Sequence, residues 1–74
     1  MSWNYRVIRE NDALRIAEVY YDDNGMPEAW TLPDFDPLAG WEELSELKGT
    51  VDHIADAFEK PVLHCNGEQL VEEE

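Results

Sequence analysis

A chain of 74 residues with 18 acidic and 5 basic side chains, net charge −13, is one small acidic domain. So short a chain buries only about 60% of its unfolded surface, which counts against a large core or an enclosed catalytic pocket. The charge repels phosphates and so counts against direct nucleic-acid or anionic-membrane binding, and the single Cys65 excludes an internal disulfide.

Residues 3–9 (WNYRVIR) are rich in aromatic and β-branched types and predict a first strand. Asn11 and Asp12 supply turn chemistry, and residues 14–21 (LRIAEVYY) predict a second strand. The Asn24-Gly25 pair predicts a two-residue hairpin turn, since both positions of such a turn need positive φ. A third strand follows over residues 26–32 (MPEAWTL), with Pro27 suited to an edge because it lacks an N–H. These turns pair Arg9 with Leu14, Val7 with Ile16, Asp23 with Met26 and Val19 with Trp30. Alternation then places Trp3, Tyr5, Val7, Leu14, Ile16, Tyr20 and Ala29 on one face, and Ile8, Ala17, Val19, Tyr21, Trp30 and Leu32 on the other.

Residues 33–40 (PDFDPLAG) predict a loop, with Asp36 before Pro37 suited to cap a turn. Residues 41–58 (WEELSELKGTVDHIADAF) predict an amphipathic helix. Leu44, Leu47, Val51, Ile54 and Phe58 recur at steps of three and four and form one apolar stripe. That stripe is expected to dock on the first sheet face. Gly49 costs about 1 kcal/mol relative to Ala in a helix and marks a place where it could break. Lys60-Pro61 ends the helix. Beyond it, residues 62–71 predict either a short hairpin turning at Asn66-Gly67 or, over 64–74, a flexible acidic tail. The second sheet face is too apolar for water, so this segment or a partner must cover it. The expected fold class is α+β: a three-stranded antiparallel sheet with one amphipathic helix packed on one face, and a short C-terminal hairpin as an option.

The acids are unevenly distributed. Residues 1–21 balance Glu10, Asp12 and Glu18 against Arg6, Arg9 and Arg15, whereas residues 22–74 set all the other acids against Lys48 and Lys60. His53, His64 and Cys65 do not have the spacing of a zinc site, and Asp22-Asp23-Asn24-Gly25 lacks the alternating oxygen ligands of a calcium loop. No phosphate-cradling glycine motif or catalytic constellation is present, so no metal, cofactor or enzymatic activity is expected. The candidate binding residues are the carboxylates: Glu42, Glu46, Asp52 and Asp56 on the helix, and Asp22, Asp23, Asp34 and Asp36 in loops. Carboxylates one helical turn apart, about 6 Å, can imitate a phosphate backbone. Tyr21 and Trp30 offer a secondary apolar surface. No long apolar run or signal peptide is visible, so a cytoplasmic protein, monomeric or weakly dimeric, is expected.

Tyr5-Arg6-Val7, opening a strand–strand–strand–helix order over residues 3–58, resembles HicB-type antitoxin domains. That resemblance implies an accessory or antitoxin-like domain binding a partner, or a second copy, through its apolar sheet face. Residues 3–8 (WNYRVI), 18–22 (EVYYD) and 60–63 (KPVL) resemble short uncharacterised bacterial and phage proteins. In size and charge the chain is similar to acidic phage-encoded anti-CRISPR proteins, several of which occupy the DNA-binding surface of a CRISPR effector complex. This likeness implies a partner with a basic, nucleic-acid-binding surface, such as a CRISPR effector subunit or another DNA-binding protein, in a bacterial host cell.

Overall fold

Alternating apolar and polar residues at the start of the chain form two nine-residue strands, β1 (Ser2–Glu10) and β2 (Ala13–Tyr21). The computed structural model describes residues 2–73. Met1 and Glu74, the two ends of the 1–74 domain and the last position of the 64–74 tail, lie outside the described residues. Asn11 and Asp12 take φ of 54° and 64°, the double positive φ of a two-residue hairpin turn. The expected register follows, with Val7 opposite Ile16 and Arg9 opposite Leu14.

The second hairpin differs locally. Val19 pairs with Trp30 as expected, but Tyr21 pairs with Pro27 across a register shift between Tyr20 and Tyr21. Asp22 N–H donates to Met26 O at 2.9 Å and Gly25 N–H to Asp22 O at 3.0 Å. Only Gly25 of the turn has positive φ, at 79°. A three-residue turn ending in a left-handed glycine therefore replaces the expected Asn24-Gly25 turn, and Asp23 does not pair with Met26. Asp22 explains the choice: its Oδ1 accepts from the N–H groups of Asn24 and Met26, each at 2.9 Å.

After β3 (Pro27–Trp30) and a loop comes α1 (Leu44–Ala57), unbroken at Gly49. It begins three residues later than expected, with Glu43 at the N-cap. Asp36 caps a turn of the loop, accepting from Leu38 N–H at 3.0 Å. The final segment forms β4 (Leu63–Cys65) and β5 (Leu70–Glu72), which pair with each other. The hairpin is thus present, with Cys65 opposite Leu70. This register is shifted by two residues from a turn at Asn66-Gly67, so the side chains keep their faces.

The expected α+β class is correct, but the three-stranded antiparallel sheet is not. All five strands form one mixed, curled sheet in the order β3-β2-β1-β4-β5, and β4 runs parallel to β1. The curl bends the second sheet face round toward itself, with a groove of about 570 Å³ left between Met26-Pro27 and Leu70-Val71. Ile8, Ala17 and Val19 are buried there with Leu63, Cys65 and Leu70, and Tyr21 and Trp30 pack against the cluster. Arg6 lies on the same face, 7% exposed. Its Nη1 donates to Tyr21 Oη at 3.1 Å and its Nη2 to Pro61 O at 2.7 Å, while Tyr21 Oη donates to Asn4 Oδ1 at 2.7 Å. The helix exit is thereby tied to β1 and β2.

On the first face α1 docks as expected, but turned about its axis. Tyr5, Val7 and Ala57 are buried, with Ile16, Phe35, Ile54 and Val62 half-buried around them. The helix buries Thr50 and Ala57 and half-buries Leu47 and Ile54. Leu44, Val51 and Phe58 remain 82%, 46% and 68% exposed, which corrects the expected docking stripe. Small residues at the contact let the helix approach the sheet closely. Thr50 tolerates burial because its hydroxyl donates to Glu46 O at 3.0 Å within the helix.

Candidate functional site

The structure distributes the predicted carboxylates over several elements. Asp52 and Asp56 stand one turn apart on α1, and both are exposed. Glu46 is exposed in the first helical turn, where a carboxylate complements the helix dipole. Glu42 precedes the helix, so it does not share a helical row with Glu46 as expected. Asp22 and Asp23 sit at the β2–β3 turn, with Asp22 half-buried and occupied by turn amides. Asp34 and Asp36 are exposed in the loop between β3 and α1. Tyr21 and Trp30 are half-buried against the inner cluster.

Most of the basic side chains are engaged within the fold. Arg9 Nε donates to Glu73 at 2.7 Å, Arg15 Nη2 to Glu10 at 3.1 Å and Lys48 Nζ to Asp52 at 3.4 Å, while Arg6 is buried. Among the described residues, only these three carboxylates and no others have a lysine or arginine nitrogen within 4.0 Å. The hydrogen bond from Arg9 holds the Glu73 carboxyl below the usual range, and the same bond raises Arg9. The Arg15–Glu10 pair was available from the sequence, because the β1–β2 register puts both on one face as diagonal neighbours. Arg9–Glu73 was not, since it depends on β4 and β5 joining the sheet beside β1.

A groove of about 350 Å³ runs between α1 and β1, lined by Trp3, Asn4, Tyr5, His53, Asp56 and Lys60. Trp3 packs edge-on to Tyr5, ring centroids 5.3 Å apart. The Tyr20 hydroxyl donates to Glu18 at 2.7 Å, and that bond raises the Tyr20 pKa. Burial, and then Glu18, raises the Tyr5 pKa. Neither phenol is therefore poised to ionise near neutral pH. Among the described residues no three His, Cys, Asp or Glu side chains converge as metal ligands, and no helix is long and apolar enough to cross a membrane. What the surface presents is negative charge spread over helix, turn and loop and, on α1, an apolar row expected in the core.

No family model, curated protein or solved structure matches the chain.

Proposed function

We propose that the protein is a non-enzymatic interaction module whose carboxylates bind a basic surface on a nucleic-acid-binding protein and block DNA or RNA from it. The observation that carries this reading is the internal use of the cations. Arg6, Arg9, Arg15 and Lys48 are buried or paired, so the surface charge of α1 and the loops is largely uncompensated. Charge left uncompensated by the fold favours a complementary partner and speeds its association. A DNA-binding subunit of a CRISPR effector in a bacterial cytoplasm fits the size and charge of the chain.

The test starts with capture from host lysate on immobilised protein, washed at low and then high salt. The captured protein then enters a mobility-shift assay with its DNA. Glu42→Lys, Glu46→Lys and Asp56→Lys together should weaken capture at least tenfold while the protein stays folded, because all three side chains are exposed. The captured protein should lose its DNA when the wild type is added. Undisturbed, simultaneous binding of DNA and wild-type protein would sink the mimicry reading.

A further inference from the structure

Leu44, Val51 and Phe58 are seven residues apart, so each successive side chain is offset by only ~20° round the helix. Together they make a straight row about 21 Å long. All three are exposed, Leu44 the most and Phe58 next. Viewed down the axis from Val51, the docked residues Leu47, Thr50, Ile54 and Ala57 lie about 40–120° to one side. Lys48, Asp52 and Asp56 lie about 60–140° to the other, and Lys48 is already held by Asp52. The row thus marks the boundary between the core face and the acidic face of α1.

We infer that this row is a docking site for a basic amphipathic helix of the partner protein, a reading that rests on the acidic-surface function above and names what that surface grips. A straight apolar ridge on a helix is matched by the stripe of a second helix, whose side chains recur at the same spacing. The carboxylates beside the ridge require that stripe to be flanked by Lys or Arg. A second copy of this chain is a poor occupant, because it would bring another −13 against the same acids. An anionic membrane is repelled for the same reason. The apolar row supplies salt-resistant contact, and the acids supply register and attraction.

The probe is an 18-residue peptide of Leu and Lys with leucines on one helical face, compared with a scrambled peptide of identical composition and no apolar face. Binding is read by fluorescence anisotropy at low and high salt. The wild type should bind the amphipathic peptide at least tenfold more tightly than the scrambled one, and that preference should persist in high salt. Leu44→Ser with Phe58→Ser should erase the preference and leave scrambled-peptide binding unchanged. Circular dichroism should show the same melting temperature, since both side chains lie outside the core. Equal binding of the two peptides by the wild type overturns the docking site while leaving the acidic-surface reading intact. Failure to bind either peptide at low salt overturns both. Self-association of the wild type that Phe58→Ser abolishes overturns the inference in favour of a homodimer.

Discussion

On the inner face of the curled sheet, Ile8, Ala17 and Val19 have no exposed surface, and residues from β4 and β5 complete a closed cluster. On the face under α1, Tyr5, Val7 and Ala57 are buried, the surrounding apolar residues are half-buried, and Leu44, Val51 and Phe58 are exposed. The difference is one of who provides the cover. A sheet that bends over its own face covers the middle of it from both edges, whereas a single 14-residue helix can shield only the strip it lies on. The tighter burial is therefore on the inner face, and the helix side keeps apolar surface in contact with water.

The largest expected effect tests the inner cluster. Ile8→Ala should destabilise by about 2–5 kcal/mol, a large share of the 5–15 kcal/mol typical of whole domains. Its urea midpoint should fall accordingly, and a loss below about 1 kcal/mol would break the comparison. Ile54→Ala, half-buried under the helix, should cost about 1–2 kcal/mol in the same assay. Leu44→Ala should change stability by no more than about 0.5 kcal/mol, because the side chain is already in water and Ala is a good helix former. If Leu44→Ala proved as costly as Ile54→Ala, the helix would have to be docked in the orientation that the sequence alone suggests.

The smallest effect concerns the Arg9–Glu73 pair, which lies on the sheet face that carries Val7 and ties the end of the C-terminal hairpin to β1. Arg9 lowers the Glu73 carboxyl below the ordinary glutamate value of 4.5, so the pair contributes fully above that pH. The contribution fades as pH falls through the lowered value, because protonation removes the charge that Arg9 favours. Glu73→Gln should therefore melt below the wild type at neutral pH, and the two curves should converge as acid is added. The gap between them is the readout, since acid also relieves the self-repulsion of the whole molecule. A gap that stays constant to pH 2 would show that Glu73 acts by packing alone.

Local chemistry was legible in the sequence where it acts over a few residues. Asn11-Asp12 set the β1–β2 register, and alternation assigned Tyr5 and Val7 to one face and Ile8, Ala17 and Val19 to the other. Two features were not. The helix orientation was misread because Leu47 and Ile54 belong both to the expected stripe and to the face that docks, and whether Val51 or Thr50 completes that face rests on how closely the sheet lets the helix approach. Parallel pairing of Ile8 with Leu63 leaves no local mark, since nothing in either strand's pattern specifies a neighbour 55 residues away. The same gap concealed Arg9–Glu73 and with it part of the surface charge pattern. For the candidate site, the acids were visible as residues, but their dispersal over helix, loop and turn was not. The apolar row was visible too and was assigned to the wrong side of the helix.

The parallel contact between β1 and β4 also governs the order of events as the chain folds. The β1–β2 hairpin closes across two residues and can form within microseconds. Its apolar inner side then has no cover until a segment of more than fifty residues has been gathered and β4 laid beside β1. Loop closure of that length carries an entropic cost before any burial compensates for it, which places this step late and makes it slow. Until that contact forms, the edge of β1 that β4 covers is unpaired, and a net charge of −13 sets neighbouring chains in mutual repulsion.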